Sequence, residues 1–88
     1  MTERYDPDLA IGTVTHYFSH LSVAAVDLSR ALTVGDRVHI RGHTTNFEQT
    51  VESMEVEHEK VESAQPGDDI ALAVVDHVRE HDKLYRES

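Results

Sequence analysis

Cysteine is absent from this sequence, so neither disulfides nor a thiolate-bound zinc ion can supplement the core of so short a chain. Long apolar runs are missing as well. The longest, Ile70 to Val75, falls far below the roughly 20 residues that a membrane-spanning helix needs. The first residues, Met1 Thr2 Glu3 Arg4 Tyr5 Asp6 Pro7 Asp8, put charges where a secretory leader carries its apolar stretch. A soluble, cytoplasmic protein with no membrane partner is therefore expected. Lysine is scarce: Lys60 and Lys83 are two of only eight cations, against seventeen acidic residues. The resulting formal charge of −9 repels phosphate and argues against a general nucleic-acid binder. Such a surface also suits a salt-adapted cytoplasm, because multimolar salt screens self-repulsion, and a halophilic source is the matching expectation.

What the sequence does contain is alternation. In Leu32 Thr33 Val34 Gly35 Asp36 Arg37 Val38 His39 Ile40 Arg41 Gly42, apolar and polar side chains alternate on both sides of a Gly-Asp turn, which predicts a tight reversal between two half-buried strands. With 88 residues there is room for one domain, which buries roughly 60–65% of its unfolded surface. Residues 1–9 read as a polar, flexible lead-in and residues 10–88 as the domain. Strands are predicted over Ile11–Phe18, where Gly12 marks a bulge or a close backbone approach, and over Leu21–Leu28, which is apolar almost throughout. Further strands are predicted over Arg37–Arg41, Ile70–Val75 and Lys83–Arg86. Between Phe47 and His58 the alternation slips by one residue near Glu52 or Ser53, giving one long bent strand or two short ones. Gly35-Asp36-Arg37-Val38, Gly67-Asp68-Asp69-Ile70 and His81-Asp82-Lys83-Leu84 share one turn-then-strand pattern. Together these features predict an all-β fold, a small closed six-stranded antiparallel barrel.

The order and spacing of Gly12-x-Val14, Leu32-x-Val34-Gly35-Asp36-x-Val38-x-Ile40-x-Gly42, Val51-x-Ser53-Met54-Glu55 and Gly67-x-Asp69-Ile70-Ala71 resemble the second domain of elongation factor Tu and related translational GTPases. The resemblance covers about three quarters of the chain and implies a translation-protein barrel. In that family the domain also occurs appended to collagenase-like peptidases and as short stand-alone chains, which this sequence resembles most. None of the four glycines is followed by lysine, so the GxxxxGK[ST] phosphate loop is missing and GTP hydrolysis is excluded. In elongation factor Tu, a glutamate matching Glu55 and an arginine three residues later help hold the 3′ end of aminoacyl-tRNA. Here His58 replaces that arginine, between Glu57 and Glu59, which argues against tRNA binding.

Seven histidines invite a metal reading. His16 and His20, like His39 and His43, lie four apart on predicted strands or their ends, about 13 Å along an extended chain and too far for one ion. His77 and His81 remain weak metal candidates, because Asp76–Asp82 could form a helical turn that brings both imidazoles to one carboxylate. The run Glu52, Glu55, Glu57, Glu59, Glu62 reads as a solvated face, and no nucleophile or acid/base constellation stands out. Tyr5, Tyr17, Phe18, Phe47 and Tyr85 could offer a base-stacking platform, although Phe18 and Phe47 share parity with core aliphatics and are expected inside. Arg37, His39 and Arg41 alternate with Val38 and Ile40, forming a basic stripe on the outer face of their strand.

These readings predict a non-enzymatic module without cofactor that docks onto a protein or a ribonucleoprotein. Its contacts would be Arg37, His39 and Arg41, with Glu55 and His58 implied by the resemblance. The alternatives are an accessory domain acting in trans with a peptidase-like or RNA-modifying enzyme, and weak binding of a tRNA 3′ end.

Overall fold

Period-two alternation builds nearly all of the ordered chain. A computed structural model describes residues 6–87 and contains ten strands: β1 (Gly12–Phe18), β2 (Val23–Leu28), β3 (Leu32–Thr33), β4 (Arg37–Arg41), β5 (Asn46–Thr50), β6 (Met54–Val56), β7 (Glu59–Lys60), β8 (Ser63–Ala64), β9 (Asp69–Ala73) and β10 (Lys83–Arg86). Before them, Pro7–Leu9 form one 3-10 turn. The Asp6 carboxylate accepts the Asp8 N–H at 2.9 Å and the Asp6 carbonyl accepts the Leu9 N–H at 2.8 Å. Pro7 is tolerated there because the N–H of the first residue of a helical turn has no acceptor within the turn, so its absence costs nothing. None of the helices among the described residues is long and apolar enough to cross a membrane.

The all-β expectation holds, but the closed six-stranded barrel does not. Eight strands form one curled, open sheet in the order β5-β4-β10-β1-β2-β9-β6-β7, and β3 pairs with β8 in a separate ribbon. The end strand β5 and the next-to-last strand at the opposite end, β6, are consecutive in sequence, joined by Val51–Ser53 where the alternation slips. The predicted bent strand is therefore two short ones that belong to different ends of the sheet. No backbone ladder closes the seam between them, and Gln49 spans it with its side chain. The buried Gln49 amide donates to the Ala73 carbonyl at 2.9 Å and accepts the Val75 N–H at 2.9 Å.

Inward positions of both layers meet in one core. Leu28, Leu32, Ile40, Met54, Leu72 and Leu84 are buried there with Val14, Val26, Val38, Val51 and Val78. Each such aliphatic contributes about 1.5–3 kcal/mol by leaving water. Gly12 sits against β2 so closely that a Cβ would lie 2.8 Å from Val26 Cγ1, which is the close approach its place in a strand suggests.

The reversal at Gly35-Asp36 is present, but β3 and β4 are not partners across it: β3 pairs with β8, and β4 with β5 and β10. The turn belongs to a set of three. The N–H groups of Asp36, Asp68 and Asp82 donate to the carbonyls of Thr33, Gln65 and Arg79 at 3.0, 3.0 and 3.1 Å. Their carboxylates accept the N–H groups of those same residues at 3.0, 2.8 and 2.8 Å. The residue before each aspartate has positive φ, at 101° for Gly35, 93° for Gly67 and 77° for His81. The shared punctuation in the sequence is thus one device used three times, with histidine where its siblings have glycine. Left-handed backbone is strained for a side chain that carries Cβ. Substituting His81→Gly is expected to stabilise the fold by about 0.5–1 kcal/mol, read as a higher midpoint in thermal melts. An unchanged or lower midpoint would mean that the imidazole contributes contacts that outweigh the strain.

Candidate functional site

Strands β2 and β9 read as nearly continuous apolar runs because both of their faces are apolar. Ala24 and Val26 on β2, and Ile70 and Leu72 on β9, point into the core. The alternate residues Val23, Ala25, Ala71 and Ala73 are half-buried on the other face. Val23 is paired with Ala73, and Ala25 with Ala71, so small side chains line up across the strands and leave a shallow floor. On that floor lies a groove of about 370 Å³ lined by Phe18, Leu21, Val23, Ser53, Glu55, His58, Ala71 and Ala73.

Two loops rim the groove, and both hold non-glycine residues in left-handed backbone. Ser22 closes the β1–β2 loop at φ 54°, while Glu57 and His58 form the β6–β7 turn at 51° and 68°. Two successive positive φ values are the geometry of a tight hairpin turn that normally carries Asn-Gly. Exposed Phe18 (38%) and Leu21 (59%) stand on the first rim, and Glu55 and His58 on the second. The structure thus brings together Glu55 and His58, which the sequence singled out, with Phe18, which it placed inside, and Leu21, which it did not single out.

Phe18 is a correction. Parity places it inside, but a register shift between Val14 and His16 bulges β1 at Thr15 and flips the faces beyond it. Tyr17 therefore packs against the core and Phe18 turns outward, its ring 4.4 Å from that of His16. Phe47 packs against the core as expected, and Tyr85 is buried. Burial pushes the Tyr85 phenol upward, against the opposing pull of Arg41. Tyr5 lies outside the described residues. The aromatics accordingly do not form a common platform.

The basic stripe on β4 also differs from expectation. Arg37 is exposed and Arg41 half-buried, but His39 is only 7% exposed. Its outer face is covered by polar partners: Nδ1 lies 3.2 Å from Glu87 Oε2 and 3.9 Å from Glu48 Oε2, and Nε2 lies 2.5 Å from Asn46 Oδ1. Arg37 Nη2 donates to Glu48 Oε1 at 3.0 Å. That guanidinium holds the Glu48 carboxyl below the usual carboxylate range, and a hydrogen bond with Glu87 acts in the same direction. Three residues expected to offer bare cations thus include a buried imidazole set among carboxylates. Glu48 could have been found from sequence, since a turn centred between His43 and Thr44 places it opposite His39, the pairing observed. Glu87 comes from the far end of the chain and leaves no such signal.

The segment Asp76–Asp82 contains bends and the Arg79–Asp82 turn but no helical turn, so the premise for a His77–His81 chelate is removed. His77 lies edge-on to Tyr17 at 4.7 Å, and the His81 N–H donates to the Val14 carbonyl at 2.8 Å.

No family model matches this chain. Its sequence is 36% identical over 78 residues to an uncharacterized protease of Methanocaldococcus jannaschii, covering 88% of this chain and 19% of that protein. It is 41% identical over 78 residues to a collagenase of Porphyromonas gingivalis, covering 86% of this chain and 22% of that protein. The chain thus spans about a fifth of the length of the curated relatives it matches. Among solved structures, the C-terminal domain of a candidate U32 peptidase from Geobacillus thermoleovorans superposes with a TM-score of 0.87 at 20% identity, covering 98% of this chain and all of that one. The selenomethionine variant of the same domain gives 0.82 at 22% identity, covering 86% and 96% of the two chains. This chain has the fold of that domain. The elongation-factor assignment and the translational role drawn from it are corrected accordingly, since the matching sequences are proteases and collagenases. The glycines and alternating aliphatics that carried the resemblance serve turns and core packing, and such positions specify β architecture without specifying a role.

Proposed function

We propose that this chain is a non-catalytic accessory domain that works with a peptidase catalytic unit, whether joined to it or in trans, and that the groove beside Phe18 and Leu21 docks that unit. The observation that carries the reading is the sequence similarity to a segment amounting to about a fifth of a protease and of a collagenase. The likeness to a peptidase C-terminal domain supports it. The apolar outer face of β2 and β9 fits the same reading, because a sheet face exposed to water alone gains nothing from Val23 and a floor of alanines.

The test uses the Porphyromonas gingivalis collagenase lacking its 78 matched residues, with this chain added back and gelatin as substrate. The chain alone is expected to cleave nothing, to bind the shortened enzyme and to change its turnover. Phe18→Ser or Leu21→Ser should weaken binding roughly 10- to 100-fold, the equivalent of losing one buried apolar side chain. Folding should change little, because both side chains are exposed. Cleavage by the chain itself, or a shortened enzyme that neither binds the chain nor responds to it, would overturn the proposal.

A further inference from the structure

The outer face of β4 carries a second arrangement, unrelated to the groove and independent of the docking reading. Among the described residues, His39, Glu48 and Glu87 are the group of three His, Cys, Asp or Glu side chains whose ligand atoms converge, all within 4.8 Å of one another. We propose that they form a binding site for one divalent transition-metal ion of the zinc class.

Three neighbouring segments supply the ligands, and backbone pairing sets their positions. His39 and Glu48 are direct partners across β4 and β5. Glu87 follows β10, held in place by donation of its N–H to the Arg37 carbonyl at 2.9 Å. The separations from His39 Nδ1, 3.2 Å to Glu87 and 3.9 Å to Glu48, lie on either side of the roughly 3.3–3.6 Å between ligands about 2.0–2.2 Å from a shared tetrahedral ion, so small side-chain shifts would complete the geometry. One imidazole and two carboxylates leave a fourth position for water.

Two of the three ligands, His39 and Glu48, are also oriented from behind, as metal ligands usually are. In the tautomer that donates Nε2–H to Asn46 Oδ1, at 2.5 Å, the Nδ1 lone pair points at the two carboxylates. A lone pair facing anionic oxygens is repulsive until a cation stands between them. Glu48 Oε1 is held by Arg37, which leaves Oε2 turned toward the imidazole. With the side chain of His39 only 9% exposed, the ring cannot swing away to water and is fixed for binding. The rival occupant of the same position is a proton, giving an imidazolium between two carboxylates and no metal affinity.

The two states separate in a titration of the full 88-residue chain with zinc chloride at neutral pH, followed by calorimetry and thermal melts. One ion per chain is expected, with a dissociation constant below about 100 μM and a raised melting midpoint. Glu87→Gln and Glu48→Gln should each weaken binding by roughly 10-fold or more, while the double variant His77→Asn, His81→Asn leaves it unchanged. Circular dichroism establishes that each variant is folded. Histidine ring resonances should place the ion on His39 Nδ1. Absence of one-to-one binding, or binding that survives Glu87→Gln and disappears with His77→Asn, His81→Asn, would overturn the site.

Discussion

Replacing Gln49 with leucine is expected to lower the stability of the fold by roughly 2–4 kcal/mol, although leucine is the more apolar residue at a buried, inward position. The side-chain amide provides the polar link across the seam between β5 and the end of β9. Without it the Ala73 carbonyl and the Val75 N–H lose their partners, and a backbone group left unmatched costs about 1–3 kcal/mol where water does not reach it. In a domain of this size the melting midpoint should fall by roughly 10–25 °C. Gln49→Glu sharpens the test: an ionised carboxylate accepts from Val75 but faces the Ala73 carbonyl without a proton to donate. That variant should therefore recover stability on acidification, whereas the leucine variant should not. A leucine variant within about 0.5 kcal/mol of the parent would show that packing alone holds the seam.

Gly42→Ala should be comparably damaging, by roughly 2–3 kcal/mol. Gly42 has an exposed surface, and a methyl group there would pass as harmless by that criterion. On its other side a Cβ would lie 1.7 Å from Asp82 Oδ1 and 2.5 Å from its Cγ. Asp82 is 3% exposed and its carboxylate caps the Arg79 turn at 2.8 Å, so moving the carboxylate clear of the methyl group would break that bond. The same substitution at Gly12 crowds Val26 less severely. Chemical denaturation of the variant checks the magnitude. Loss of the Arg79 N–H protection in hydrogen exchange should accompany it, and retained protection would place the damage elsewhere.

Much of this architecture is legible from residues whose neighbours are local. Alternation in Arg37–Arg41 gives β4 at its observed bounds, and Lys83–Arg86 gives β10 likewise. The slip near Ser53 marks the passage from β5 to β6, and the repeated aspartates mark three equivalent turns. What the sequence hides depends on distant partners. Alternation shows that a sheet has an inside but does not say whether its last two edges pair, so it cannot tell a closed barrel from this open sheet. Parity puts Phe18 inside because it does not reveal the bulge at Thr15, which inverts the faces beyond it. His39 reads as outward and solvated, and it is outward. Its cover comes from Asn46 and Glu48 on the next strand and from Glu87, 48 residues away.

The place of β10 has a consequence for the order in which the fold can assemble. It lies between β4 and β1, so the last of the ten strands in chain order occupies an interior place in the large sheet. Until residues 83–86 are in place, no backbone ladder joins the β5-β4 hairpin to the β1-β2-β9-β6-β7 portion, and each has an inner edge whose hydrogen bonds are unmet. Pairings such as Thr13 with Lys83 close loops spanning most of the chain, and contacts of that separation form slowly. Folding should therefore behave as the insertion of a single late strand into a waiting gap.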